Sequence, residues 1–183
     1  KRIDPPQDPE LEIIDAAGGI VMPGIIEAHC HIGIIEEKKG AEGDDCNEAT
    51  NPITPWLRAI DAVNPMDAAF DDTAAAGITA VQVGPGSANV VGGQFLVMKT
   101  KGSRRIDDLV VKSPSAMKIA FGENPKVCYG DMSQIPSTRM AIAGLLREEL
   151  FKARQYRQEK EEGKLEKEDF RMECWLPVLR KEI

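Results

Sequence analysis

Short β-rich segments alternate with helical segments along this 183-residue chain, and that alternation limits the folds it can adopt. Isoleucine-rich residues 24–33 and β-branched residues 78–84 predict strands, and "NPMDAAFDDTAAAG" between them predicts a helix. In this helix we expect Asn64 to be the N-cap, Pro65 to lie in the first turn and Gly77 to end it. Repeated strand-then-helix units predict an α/β fold with a parallel sheet or barrel.

More strands and a long helix are predicted on either side of this region. The segments "QFLVMKT" and "AMKIAFG" predict strands, "IDDLVV" predicts a weaker one, and "LEIIDAAGGIVMPG" predicts two short strands around a Gly-Gly turn. The longest helix is expected to start near Ser137 or Thr138 and to pack one apolar face. A second amphipathic pattern, "EDFRMECWLPVLRKEI", carries Phe170 and Trp175 among its apolar residues.

Composition narrows the classes of partner. The net charge of -7 argues against non-specific binding to nucleic acid or to an anionic membrane surface, because both select clustered Lys and Arg. No secretory leader or bilayer-spanning apolar run is recognisable. The four cysteines contain no C-x-x-C pair, which predicts reduced thiols. We therefore expect a cytoplasmic protein with a small-molecule substrate, without nucleic-acid or membrane partners.

Both histidines of the chain, His29 and His31, lie in one predicted strand and are separated only by Cys30. Side chains alternate along a strand, so the two imidazoles should point to the same side while the thiol points to the other. Two adjacent imidazoles suit a divalent metal, with Zn–N distances of about 2.0–2.1 Å. The alternative is a chance pair of half-buried histidines, and the flanking residues favour the metal site.

The run "PGIIEAHCHIG", residues 23–33, resembles the first-strand signature of the amidohydrolase superfamily, in which Pro-Gly precedes the strand, an acidic residue follows two apolar ones and H-x-H ends it. Residues 51–94 are similar to the uncharacterised, imidazolonepropionase-like branch. The resemblance implies the N-terminal half of a (β/α)8 TIM-type barrel preceded by strands of a small β-sandwich domain. Residues 1–22 would be the remnant of the sandwich, and residues 23–183 would supply about strands one to four with their helices.

The resemblance also implies a metal-dependent hydrolase that uses metal-activated water on a non-peptide C–N bond in a cyclic amide, imine or N-acyl substrate. One or two ions, Zn or another divalent metal, would be bound by His29 and His31. The family adds a Lys or Glu near strand four, and Lys118 and Glu123 are the candidates. Further histidines and the general-base Asp are expected beyond Ile183, so residues 1–183 alone are expected to bind metal weakly and to be inactive.

Several alternatives stay open at this stage. Lys118 could be a solvated lysine at a strand edge, and Glu123 could be an ordinary turn carboxylate. The whole chain could be a non-catalytic metal-binding or structural barrel domain instead of part of an enzyme. Because half a barrel would leave strand edges unpaired, we also expect a homo-oligomer.

The Gly-rich loop "GPGSANVVGGQ" follows the second predicted strand, so it should lie at the rim of the barrel where substrates bind. Ser87 and Asn89 in this loop are candidate substrate contacts. The spacing of its glycines does not match a phosphate-binding loop. Instead, we expect tight turns and positive φ angles at Gly84, Gly86, Gly92 and Gly93.

Overall fold

The computed structural model describes residues 10–183 and shows a mixed α/β fold. The strands in this part of the chain are β1 (Ile25–Cys30), β2 (Ile78–Val83), β3 (Val91–Gln94), β4 (Leu96–Lys99), β5 (Val110–Lys112) and β6 (Met117–Ile119). The α-helices are α1 (Ala68–Ala75), α2 (Ile106–Leu109), α3 (Glu123–Asp131), α4 (Arg139–Glu161), α5 (Phe170–Glu173) and α6 (Leu176–Leu179). Short 3-10 turns cover Gly40–Gly43 and Ala59–Asp61.

The main sheet has the strand order β1-β2-β4-β5. β1 and β2 are parallel and are connected through α1, as the alternation predicts. The expectation of a sheet that stays parallel is wrong beyond this pair, because β4 is antiparallel to β2 and β5 is antiparallel to β4. No helix lies between β2 and β4, and a parallel neighbour would need a long crossover connection, usually a helix. β3 and β6 form a separate antiparallel pair.

Two predicted strands are divided in the structure. "QFLVMKT" is split at Phe95, since Gln94 ends β3 and Leu96 begins β4. "IDDLVV" begins as the single helical turn α2 and becomes extended only in β5. The strand predicted over "AMKIAFG" is present but short, as β6.

The N-terminal segment differs from its prediction. A turn forms where the Gly19 N–H donates to the Ala16 carbonyl at 2.7 Å, but no strand is present from residue 10 to residue 24. Residues 1–9 of the predicted sandwich remnant lie outside the described residues. The exposed apolar residues of this arm and of β1 include Ile20, Val21, Met22, Ile25 and Ile26. Within residues 10–183, no helix is long and apolar enough to cross a membrane.

The buried side chains form two clusters. The first lies between the main sheet and α1, and contains Phe70, Val81, Val83, Leu96 and Met98. The second packs α4 and the C-terminal helices against β3, and contains Val91, Ile142, Leu146, Ala153 and Trp175. This arrangement confirms the apolar face of the long helix.

The N-terminus of α4 is also as predicted, because the Thr138 hydroxyl accepts the Ala141 N–H at 3.1 Å. The apolar pattern after α4 does not form one helix. It forms two short helices, and Trp175, the residue before α6, is fully buried whereas Phe170 in α5 is 70% exposed. The indole of Trp175 therefore fixes this segment to α4, and Phe170 contributes little to the core.

The N-cap of α1 is Asp67, not the predicted Asn64. The Asp67 carboxylate accepts the Ala69 N–H at 3.2 Å and also the Glu37 N–H at 3.3 Å. The Asn64 side-chain oxygen accepts the Met66 N–H at 3.0 Å, which is a turn before the helix. Gly77 follows the last helical turn with φ +84, as predicted. The helix begins later because residues 64–67 form this turn.

Replacing Asp67 by alanine should lower the free energy of unfolding by about 1–2 kcal/mol, because a buried cap is lost together with its contact to the Glu37 loop. Asp71→Ala is the matched control, since Asp71 is an exposed acidic residue in the first turn of the same helix. We expect the control to change stability by less than about 0.5 kcal/mol. Urea unfolding of both variants measures the difference, and equal losses would contradict the assignment of the cap.

Candidate metal centre

The two histidines lie at the carboxyl end of β1, with His29 on the strand and His31 one residue beyond it. Their ring centroids are 5.3 Å apart and the ring planes cross at 83°. Cys30 points the opposite way, where its thiol reaches the Gln82 carbonyl at 3.5 Å and packs against the main core. The predicted alternation is therefore confirmed, and it presents two imidazoles side by side.

The orientation of His31 is set by a backbone hydrogen bond. Its Nδ1 lies 2.7 Å from the Gly84 carbonyl oxygen, at the end of the neighbouring strand β2. A carbonyl oxygen can only accept, so Nδ1 carries a proton, and in the neutral imidazole the lone pair is then on Nε2. This arrangement is typical of metal-ligating histidines, whose second nitrogen donates to a carbonyl or carboxylate.

Two glycines of the "PGIIEAHCHIG" run are required by close packing. At Gly24, a β-carbon would lie 2.2 Å from the Thr79 hydroxyl on β2. Gly33 adopts φ +76 in the turn after His31, and a β-carbon there would lie 2.8 Å from the Phe70 ring. Any side chain at either position would displace β1 or the turn that follows it. The glycines therefore place the histidine pair relative to β2 and α1.

His29 opens into a hollow of about 310 Å³, called here the His29 hollow, which is lined by Gln82, Phe95, Ala116, Met117, Lys118 and Ile119 as well. The His29 and Phe95 ring centroids are 5.5 Å apart. Although His29 is exposed overall, desolvation by the atoms beside its ring lowers its pKa, and the charge of Lys118 lowers it further. Burial likewise lowers the pKa of the Lys118 amine. These effects favour the neutral imidazole.

His31 opens into a second hollow of about 560 Å³, the His31 hollow, whose polar lining includes Asn47, Ser87, Glu123 and Asn124. Glu123 is exposed and is the first residue of α3. The two candidates for the next ligand thus lie in different places, Lys118 beside His29 and Glu123 beside His31. Within residues 10–183, no group of three or more His, Cys, Asp or Glu side chains is arranged to bind a metal ion.

The two predicted substrate contacts have different environments. Ser87 is half-buried in the His31 hollow, where its hydroxyl accepts the Asn124 amide at 3.0 Å. Asn89 does not line either hollow, in contrast to its predicted position. It is fully buried, and its amide donates to the carbonyls of Glu48 and Asn51 at 2.6 and 2.8 Å. Because both amide protons are used inside the protein, Asn89 connects two loops instead of facing solvent.

The Gly-rich loop needs its glycines mainly for space. Only Gly93, with φ +126, has the predicted positive φ among the four glycines of this loop. At Gly84, a β-carbon would lie 2.1 Å from the Phe95 ring, and at Gly86 it would lie 2.6 Å from the Asn47 amide. Asn47 also accepts the Ala88 N–H at 3.0 Å, which ties the loop after His31 to the loop after β2.

Known proteins resemble this chain over most or all of its length. The amidohydrolase tasK of Hapsidospora irregularis is 36% identical over an alignment 144 residues long, which covers 72% of this chain and 15% of that protein. The crystal structure of an amidohydrolase from Thermotoga maritima MSB8 superposes on all of this chain, with a TM-score of 0.92 and 45% identity. This chain belongs to the amidohydrolase superfamily. The resemblance of residues 23–33 to the superfamily signature is thereby confirmed.

These two relatives are longer than this chain. The chain spans about half the length of the Thermotoga maritima protein, 49%, and 15% of the length of tasK. No model of a known protein family matches the chain. Assignment to the imidazolonepropionase-like branch therefore stays a prediction, as do the half-barrel and the sandwich remnant.

Some residues of the candidate site were not recognised in the sequence. The Gly84 carbonyl orients His31 across a separation of 53 residues, and Phe95 contacts His29 from another strand junction. Phe95 lies in the apolar run "QFLVMKT", whose pattern predicts a strand and nothing more specific. Asn47 lies in the polar loop after β1, whose side chains could be expected to face a substrate, and nothing local predicts that it joins this loop to the loop after β2.

Proposed function

We propose that this amidohydrolase-superfamily member is a metal-dependent hydrolase of non-peptide C–N bonds, acting on a cyclic amide, imine or N-acyl substrate. The observation that carries the proposal is the paired imidazoles at the end of β1, with the Nδ1 of His31 hydrogen-bonded to the Gly84 carbonyl so that Nε2 is the nitrogen that can ligate. Relatives named amidohydrolases support the same reaction class.

The donor set suits a divalent transition metal. Imidazole nitrogen is a good ligand for Zn, Fe and Ni, and two neutral imidazoles leave other coordination positions for protein or substrate. When bound, such an ion supplies Lewis acidity that polarises a carbonyl or imine and acidifies water. We propose His29 and His31 as the first two ligands and Lys118 or Glu123 as the next one. The remaining ligands and the general-base Asp would come from beyond Ile183.

The other residues of the two hollows would bind and orient the substrate. Ser87, held by the Asn124 amide, offers its hydroxyl proton to a polar group of a substrate in the His31 hollow. Phe95 supplies an apolar wall to the His29 hollow. A substrate that carries a planar amide or imine beside a polar group would fit a site with the Phe95 ring on one wall and the Ser87 hydroxyl on another.

We infer that the fold around this site is the beginning of a (β/α)8 barrel. The inference is supported by the parallel β1–α1–β2 unit and by histidines at the carboxyl end of β1, where barrel enzymes carry their active sites. Residues 1–183 alone would then lack most metal ligands and would not hydrolyse substrate.

The full-length protein tests the proposed function. Metal content is measured after purification, and hydrolysis of a panel of cyclic amides and N-acyl amino acids is measured before and after chelation. We expect bound divalent metal, activity that is lost with the chelator, and recovery when the ion is restored. Bound metal without hydrolysis of any panel member would favour the alternative of a non-catalytic metal-binding domain, and absence of metal would overturn the proposal.

The next ligand can be identified by comparing Lys118→Ala with Glu123→Ala. The variant that replaces the true ligand should lose most of its bound metal, because an atom that coordinates the ion is removed. The other variant should retain its metal. Lys112→Ala on β5 and Glu42→Ala in the first loop are the matched controls, since both residues are exposed and outside the two hollows. Metal content per chain, measured by mass spectrometry, decides between the two. Normal metal content in both variants would show that neither is a ligand.

A further inference from the structure

We propose that Phe95 is a positioning residue for the His29–His31 pair. Phe95 is 5% exposed, and it lies at the junction where β3 ends and β4 begins. The face of its side chain that is not covered by the core closes one side of the His29 hollow. This inference rests on the proposed metal-dependent function, but it concerns a residue that no superfamily signature in this chain includes.

The first contact is with the imidazole of His29. The centroids of the two rings are 5.5 Å apart and their planes are inclined by 48°, which is within the range of favourable aromatic pairs. His29 itself is largely exposed at the end of an edge strand. The Phe95 ring and the His31 ring therefore limit the directions in which the His29 ring can turn.

The second contact reaches His31 through the backbone. The Phe95 ring lies so close to Gly84 that a β-carbon on that glycine would be 2.1 Å from the phenyl Cδ1. The carbonyl of the same glycine accepts the Nδ1 proton of His31 at 2.7 Å. One aromatic ring thus packs directly on the first imidazole and on the peptide that orients the second.

A third contact places Phe95 beside the candidate lysine ligand. The Lys118 amine lies 5.9 Å from the centre of the phenyl ring, within reach of a cation–π interaction. A smaller aliphatic side chain would remove this contact and the flat wall next to His29 together. The ring is consequently shared by three groups of the candidate metal centre.

The backbone of Phe95 is fixed independently of its side chain. Its N–H donates to the Ala116 carbonyl at 2.9 Å, and its own carbonyl accepts the Ser115 N–H at 2.9 Å. These bonds hold the residue next to the segment that leads into β6. Replacing the side chain should therefore change the packing of the imidazoles while the backbone path between β3 and β4 is retained.

The test compares Phe95→Leu with Tyr156→Leu in the full-length protein. Tyr156 also carries a large aromatic ring and is 6% exposed, but it lies on α4, where its hydroxyl contacts Glu173, and it lines neither hollow. For each variant, the metal dissociation constant is measured by chelator competition, the visible spectrum is recorded with Co²⁺ in place of the native ion, and thermal unfolding is followed without metal.

We expect both variants to unfold at lower temperature than the parent, because each loses a buried ring. Only Phe95→Leu should raise the metal dissociation constant. The increase should be about 10- to 100-fold, as for other residues that orient a metal ligand without touching the ion. Only this variant should also alter the Co²⁺ spectrum. If Phe95→Leu fails to fold, Phe95→Met keeps similar volume without the flat ring and should give the same pattern.

The outcomes separate this inference from the proposed function. A parent protein that binds no divalent metal overturns both. A parent that binds metal, with Phe95→Leu and Tyr156→Leu equal in affinity and in Co²⁺ spectrum, overturns the positioning role and leaves the proposed function standing.

Discussion

Replacing His31 by glutamine in the full-length protein is expected to remove nearly all bound metal and, with it, all metal-dependent hydrolysis. The Gln side chain can still donate to the Gly84 carbonyl, but it has no nitrogen lone pair in place of Nε2. Removal of a residue that only orients a metal ligand typically lowers metal affinity by about 10- to 100-fold, and the loss of affinity in His31→Gln should be larger. His29→Gln should have the same effect, because the two rings lie 5.3 Å apart and are proposed to bind the same ion.

Cys30→Ala is the matched control for these two variants. Cys30 lies between the histidines in sequence, but its thiol points to the main core and contacts the Gln82 carbonyl. We expect a modest loss of stability and unchanged metal content. Metal content measured by mass spectrometry and unfolding temperature together distinguish a lost ligand from a damaged strand. Full metal occupancy in His31→Gln would show that His31 is not a ligand.

Trp175→Ala should be the most destabilising single truncation in the C-terminal half of the chain. Trp175 is fully buried against β3 and α4, and its indole N–H donates to the Glu149 carboxylate at 3.0 Å. Truncating a buried tryptophan typically costs about 3–5 kcal/mol, since a large cavity remains. For a chain of this size, that corresponds to a decrease in unfolding temperature on the order of 10 °C.

Trp56→Ala is the control for this prediction, since Trp56 is the other tryptophan of the chain and is only half-buried. The guanidinium carbon of Arg171 lies 3.8 Å from the centre of the Trp56 ring. Such a cation–π interaction contributes about 0.5–1 kcal/mol at exposed sites. Trp175→Phe should fall between the two, because the ring stays buried and one hydrogen bond of about 1 kcal/mol is lost. Thermal and urea unfolding give the order, and equal losses for both alanine variants would contradict it.

Local patterns predicted the elements whose stability depends on near neighbours in the chain. Alternation along β1 placed His29 and His31 on one side and Cys30 on the other, and the cap and apolar spacing of α4 predicted that helix from Thr138 onward. Choosing Asn64 as the cap of α1 was wrong, because Asn64 and Asp67 have equally suitable side chains. Both also contact the same loop, Asn64 through the Glu36 carboxylate and Asp67 through the Glu37 N–H, and only the folded backbone decides that the helix begins after Asp67.

The sequence by itself determined the superfamily, the parallel β1–α1–β2 unit and the histidine pair, because these depend on residue types at short, regular spacings. Only the tertiary structure decided that β4 is antiparallel, that Asn89 is buried, and that Gly84 and Phe95 orient the imidazoles. These features join residues far apart in the chain, where a glycine carbonyl or a phenyl ring has no local signature. Their partners become neighbours only when the sheet has formed and the loops have packed against it.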